Sequence, residues 1–276
     1  MSTKKIYKEF DFILENPQIF RDIFIAELSG EGFEGFVETP SGFKAYTEKN
    51  ISPEFLKNKY PENFSYEVKE ILPQNWNKKW EENISPLIID DKVYIYTSFH
   101  EKKDFPYSVI IDPKMSFGTG HHETTRLMIE NMLETDFKNK RVLDMGAGTG
   151  ILSILAKQLG AKEITAVDID EWAYENMLEN FALNKIKNIK ALLGGKEVLN
   201  AAGKFDIILA NINLNILQDG MKAYAKALKP GGEMILSGFL EKDMENLINQ
   251  AAGFGMHFEG VKEKNRWRSL KFKKNR

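Results

Sequence analysis

Asp144 closes a short apolar strand, and glycines follow it at alternate positions, Gly146, Gly148 and Gly150. An unbroken helical run begins at Ile151. A strand that passes through a glycine-rich turn into a helix lets backbone approach a ligand closely, because no Cβ stands in the way. A second strand, Glu163 to Val167, ends in Asp168. A carboxylate there, about 20 residues beyond the turn, suits the diol of a ribose. Strand, turn, helix, strand and acid in this order predict a site for a nucleoside cofactor.

The glycine spacing separates two cofactor classes. Dinucleotide sites follow G-x-G-x-x-G, whose third glycine packs helix on strand; that place is taken here by Ile151. The pattern present, D-x-G-x-G-x-G, resembles motif I of class I S-adenosylmethionine-dependent methyltransferases. The fourth strand of the same region runs from Phe205 to Ala210 and ends in Asn211-Ile212-Asn213-Leu214. Several N-methyltransferase families carry Asn/Asp-Pro-Pro-aromatic at that point. The asparagine is present here and the prolines and aromatic are not, which argues against a planar base or amide as acceptor.

Methyl transfer from a sulfonium is an in-line displacement that depends mainly on alignment. An amine acceptor must first lose a proton, and a free lysine has a pKa of about 10.4. Desolvation at an apolar mouth lowers that value. Asn211 is the expected catalytic residue, orienting the neutral amine. No dedicated base is evident, which leaves bulk water to take the proton.

The elements that position these residues follow from periodicity. From residue 140 onward strands and helices alternate, the mark of a parallel doubly wound sheet. Pro230-Gly231-Gly232 is expected as a tight turn before the fifth strand, and the chain closes on two antiparallel strands, Met256 to Val261 and Trp267 to Phe272. Upstream, the order β-α-β-β-α-β over residues 1–72 matches a ferredoxin-like sandwich. Its helices are expected from Pro17 and from Ser52. Residues 73–98 are expected to be a linker, in which Trp76 and Trp80 either share one face of a short helix or, as composition favours, simply staple the segment to a domain, and residues 99–276 the catalytic domain. The fold class is thus α/β: a Rossmann-like domain with a C-terminal antiparallel hairpin, preceded by a small α+β domain.

Composition sets bounds on function. The chain has 276 residues, 42% of them hydrophobic, no cysteine and a net charge of −2. Disulfides and thiolate metal sites are therefore excluded, and a mainly nucleic-acid-binding surface is disfavoured. Residues 1–70 hold 9 Lys/Arg against 13 Asp/Glu, an acidity suited to a solvated surface or to a basic protein partner. The basic C-terminal tail, Lys262 to Arg276, is equally suited to edge-strand protection and to an RNA contact. Adjacent His121 and His122 do not make H-E-x-x-H, because Arg126 stands at the last position, so no metal is expected. No apolar run approaches the roughly 20 residues of a membrane span, and no signal peptide is visible. A cytoplasmic monomer without membrane contact is expected.

Five segments together, FGTGHHETT at 117–125, DMGAGTG at 144–150, VDID at 167–170, ANI at 210–212 and NWNKKW at 75–80, resemble the bacterial ribosomal protein L-eleven methyltransferase family. The resemblance spans nearly the whole chain. It implies N-methylation of lysine side chains and of the N-terminal α-amine of large-subunit ribosomal protein eleven, free or in the ribosome. The methyl donor would be S-adenosylmethionine and the product S-adenosylhomocysteine. It further implies recognition of the acceptor by the N-terminal domain. Matched by motif, the cofactor contacts would be Thr125, Gly146, Asp168 and Asn211, with Phe117, Gly118 and Thr119 forming a loop that closes over the site. Asp144, Ala147, Gly148 and Ile169 complete the expected set. The alternatives are a methyltransferase for another protein or a small amine, and a non-catalytic ribosome-associated module.

Overall fold

Alternation of aromatic and charged residues builds the first sheet. In β1 (Tyr7–Leu14), Phe10, Phe12 and Leu14 point into a core while Glu9, Asp11 and Ile13 take the other face. β2 (Gly35–Thr39), β3 (Gly42–Thr47) and β4 (Phe64–Ile71) complete a sheet of order β2-β3-β1-β4, antiparallel throughout. That is the order of a ferredoxin-like sandwich. Phe12 stacks on Phe43 at 5.0 Å and Phe10 meets Phe33 edge-on at 5.2 Å. Phe24 and Leu28, four residues apart and helical, close the same core.

The computed structural model describes residues 7–15, 24, 28, 31–33, 35–47, 49, 51, 64–71, 85–112 and 118–276. The rest of the expected Pro17 helix, the Ser52 helix, Trp76, Trp80 and Phe117 lie outside the described residues. The chain divides into two compact units, residues 1–80 and 81–276.

The second unit begins inside the segment expected as linker. β5 (Leu87–Ile89) and β6 (Val93–Tyr96) form a three-stranded sheet with β7 (Tyr107–Ile110). Ile89, Val93 and Ile95 are buried in the same apolar cluster as Ile154 and Leu155. Burial of these side chains ties residues 87–96 to the second unit, so the expected linker boundary at residue 98 lies too far along the chain.

The main sheet has seven strands: β8 (Arg141–Met145), β9 (Glu163–Asp168), β10 (Ile189–Leu193), β11 (Phe205–Asn211), β12 (Leu228–Leu240), β13 (Met256–Lys264) and β14 (Trp267–Lys274). Their order is β10-β9-β8-β11-β12-β14-β13. The first five are parallel, and the closing hairpin is antiparallel. The strands stay parallel across β8 and β11, but the strand order reverses there, the chain running outward to β10 on one side and to β12 on the other; that is the switch point where such sheets bind ligands at their carboxyl ends. The expected turn at Pro230-Gly231-Gly232 is absorbed into β12 as an irregularity: pairing with β11 jumps from Phe205↔Leu228 to Ile207↔Glu233.

Helices cover both faces. α1 (Glu123–Leu133), α2 (Ile151–Gln158) and α3 (Glu171–Leu183) pack with Val142, Ile207 and Leu209 on one face. After the short α4 (Leu199–Ala202), α5 (Leu214–Ala227) and α6 (Met244–Gly253) pack with Leu143, Ile208 and Leu236 on the other. Neighbouring strand residues thus enter opposite cores, as a sheet buried on both faces requires.

Candidate active site

The glycine turn is held against β9 by backbone. Gly146 and Ala147 donate their N–H groups to the Val167 carbonyl at 2.8 and 3.0 Å. Gly148 donates to Asp168 Oδ2 at 2.7 Å. Asp168 Oδ1 accepts from Asp170 N–H at 3.0 Å. A carboxylate offers about four lone-pair sites, so acceptor capacity remains after these two bonds. Asp168 is nearly buried yet lines a cleft of about 690 Å³ at the carboxyl ends of the strands.

Ile212 shapes the cleft floor. A Cβ on Gly146 would stand 2.0 Å from Ile212 Cγ2, so only glycine lets the turn and the end of β11 meet. Across the mouth, Ile169 is 76% exposed and lines the cleft. An exposed apolar side chain at a cleft wall suits a flat ring. Four carboxylates, Asp168, Asp170, Glu197 and Asp219, line the cleft with one lysine, Lys196, whose ammonium pairs with Asp219. The excess of negative charge favours a cationic occupant.

Asn211 sits at the end of β11. Its Nδ2 donates to Thr125 Oγ1 at 3.3 Å, while Oδ1 has no partner among the described residues. On the far side, His122 and Trp267 meet edge to face with ring centroids 4.9 Å apart, and both line the cleft. His122 also caps α1, its Nδ1 lying 2.8 Å from Thr124 Oγ1. The β13–β14 hairpin delivers Trp267, and its tip docks on α1 where Asn265 Nδ2 donates to Glu123 Oε1 at 3.1 Å. Arg268, buried, fixes that tip by ion pairs with Glu241 at 3.0 Å and Glu263 at 3.3 Å.

Of the residues expected to touch a cofactor, Gly146, Gly148, Asp168, Ile169 and Asn211 share the cleft wall. The other five described ones, Asp144, Thr125, Ala147, Gly118 and Thr119, do not line it. Asp144 is fully buried; Ser153 Oγ donates to its Oδ2 at 2.7 Å, and Oδ1 has no partner among the described residues. Burial first, and the Asp168 charge in addition, push its pKa up to about 7, against the Ser153 hydrogen bonds that hold it down. Thr125 is buried and reaches the cleft only through Asn211. Ala147 faces the core. The Gly118 carbonyl accepts from Thr149 Oγ1 at 2.7 Å, which fastens the 118–122 loop to the back of the turn. Thr119 Oγ1 accepts from His121 N–H at 3.4 Å and lies off the wall.

Sequence reasoning missed Gly194 to Glu197, His122 and Trp267. The first group follows β10 at its carboxyl end, so the rule that found Asp168 also finds it. Nothing local marks Trp267, which is 145 residues from His122 in the chain.

The donor set fits a nucleoside that carries a positive charge: an unobstructed backbone turn, an acid with spare acceptor capacity, an apolar wall and net negative charge. Comparison with known proteins agrees. The family model for ribosomal protein L11 methyltransferase (PrmA) matches residues 17–275. The chain belongs to this family. It is 43% identical over 260 residues to the ribosomal protein L11 methyltransferase of Phocaeicola vulgatus, covering 90% of this chain and 92% of that one. With its counterpart in Porphyromonas gingivalis it shares 41% identity over 262 residues, 91% of this chain and 90% of the relative. A crystal structure of ribosomal protein L11 methylase from Lactobacillus delbrueckii subsp. bulgaricus overlays with a TM-score of 0.65 at 27% identity, covering 70% of this chain and all of that one.

Proposed function

We propose that this protein transfers methyl groups from S-adenosylmethionine to amines of large-subunit ribosomal protein L11, taking lysine ε-amines and the N-terminal α-amine. The observation that carries the reading is the Asn211 amide. Its nitrogen is committed to Thr125 and its oxygen is uncommitted, beside a glycine turn and a ribose-competent acid. When bound, S-adenosylmethionine supplies an electrophilic methyl group on a sulfonium.

The chain's own residues do the rest. Asp168 would accept hydrogen bonds from the ribose diol, and Ile169 would offer the adenine an apolar surface. The Gly146 turn lets the cofactor approach backbone. Asn211 Oδ1 accepts a hydrogen bond from the acceptor amine and aims its lone pair in line. Trp267, Ile212 and Ile216 make the mouth apolar, which lowers the amine's pKa and favours its neutral form. Water takes the proton. The N-terminal unit holds the ribosomal protein, free or in the ribosome, and the enzyme acts as a cytoplasmic monomer.

Intact-mass spectrometry of the purified ribosomal protein after incubation with enzyme and S-adenosylmethionine tests the proposal. Stepwise methylene increments mapped to lysines or the N-terminus are expected. An unchanged mass with cofactor binding verified, or preferential transfer to a small amine, would sink it.

A further inference from the structure

A second depression, about 400 Å³, flanks the cleft where α4 meets α5, and four lysines line it: Lys196, Lys204, Lys222 and Lys226. Asp219 is the one acid in its lining, and Lys196 already pairs with it. Lys222 and Lys226 are exposed, stand four residues apart on α5, and have no acidic partner among the described residues. Lys226 lies in the last turn of α5, where a cation complements the helix dipole; Lys222, four residues before it, adds a like charge at a spacing that opposes helix formation. The carbonyls at the end of α5 are occupied by further ammonium groups. Lys204 donates to the Lys226 carbonyl, and Lys274 donates to those of Ala225 at 2.6 Å and Leu228 at 2.9 Å. Burial first and the Lys204 charge second hold Lys274 below the usual lysine value. The positive field here is local, since the whole chain carries a net charge of −2.

We infer that this lysine-lined groove binds the phosphodiester backbone of RNA, beside the site where the acceptor amine enters. The donor chemistry selects that ligand over a single phosphate. A discrete phosphate is usually gripped by backbone N–H groups at a helix N-terminus or by an arginine fork. This groove lies at a helix carboxyl end and has neither. Lysines act as mobile point charges, and a row of them follows a chain of phosphates without reading bases. Lys196 and Asp219 line both the groove and the cleft, so RNA held here runs past the cofactor site. The inference rests on the proposed acceptor being a ribosomal protein, which RNA surrounds in its natural setting.

Fluorescence anisotropy tests it, with a labelled unstructured oligoribonucleotide titrated by the full chain without methyl donor or acceptor. Lys222→Gln/Lys226→Gln is compared with Lys138→Gln/Lys162→Gln, two exposed lysines away from the groove. The groove variant is expected to bind roughly 20-fold more weakly at about 0.1 M salt, and to lower the slope of log K against log salt by about 1.4, at ~0.7 per phosphate contact. The control variant should match the wild type. Equal behaviour of the two variants, or no RNA binding by the wild type, overturns the inference. So does inorganic phosphate competing as well as RNA at equal phosphate concentration, which would mark a single-anion site. Cofactor affinity and methylation of the free ribosomal protein are measured alongside. Their failure in the wild type would count against the proposed activity and leave the RNA result standing.

Discussion

Asp168 serves two partners, the Gly148 amide that it already holds and the ribose it is proposed to take. Asp168→Ala should therefore weaken S-adenosylmethionine binding by roughly 1.5–3 kcal/mol, the scale of hydrogen bonds to a charged group. Calorimetric titration with unchanged affinity would refute the assignment. Asp168→Asn, which can still accept from Gly148, should fall between the two. Asn211 is different, because its oxygen waits for the acceptor rather than the donor. Asn211→Ala should lower kcat and leave the Michaelis constant for the methyl donor near its original value. A raised Michaelis constant with kcat intact would remove the aligning role. Asp168, Gly146 and Asn211 were legible because each sits at a strand's carboxyl end, a place that sequence order fixes. The partner of Asn211 was named only as a cofactor contact: Thr125 turns out to brace the amide, and one-letter spacing does not tell a wall residue from one behind it.

The turn and the strand ends fit together through a single wedge, Ile212. It is flanked by Gly146 and by Gly238, whose φ is +101° and whose added Cβ would stand 2.2 Å from the Ile212 carbonyl oxygen. The obstacle is backbone, which cannot swing away as a side-chain tip does. Gly238→Ala should cost roughly 1–3 kcal/mol of stability through strain and weaken methyl-donor binding as Ile212 is displaced. Gly260→Ala, where nothing lies within 4 Å, is the matched control in the same sheet and should be close to neutral. Urea unfolding and donor titration of both variants check this; equal midpoints would show that the strand ends are looser than the geometry implies. The alternation of strands and helices made this sheet legible in advance, hairpin included. The membership of residues 87–96 was not legible, because a short strand pair has no periodicity long enough to say which core it will join. The Pro230-Gly231-Gly232 segment misled for a related reason: turn residues mark a departure from ideal pairing, and β12 meets that demand within a strand.

The two units draw on separate cores, and the acid that ends β8 makes the stability of the larger one depend on pH. Asp144 is fully buried, its Oδ1 has no partner among the described residues, and its pKa is pushed up to about 7 from an ordinary value of 3.8. A folded-state pKa above the unfolded one means that the folded chain binds the extra proton between those two values. Stability therefore falls as pH rises through that window and levels off above pH 7, where the buried carboxylate is charged in the folded state as well. Each pH unit within the window is worth about 1.4 kcal/mol, so the loss between about pH 5 and about pH 8 is on the order of 3 kcal/mol. Other carboxylates pull the opposite way: Asp206, despite the burial that raises it, is held below its usual value by Lys229 and the Arg141 amide. The observable is therefore a difference. Asp144→Asn removes the titration and keeps an acceptor for Ser153, while carboxylates remote from it, Asp206 among them, contribute alike in both proteins. Urea unfolding of the full chain across this range should show the wild type losing ground to the variant as pH rises, with the gap constant above pH 7. Parallel profiles would mean that water or a local opening solvates Asp144, and that its carboxylate is charged throughout.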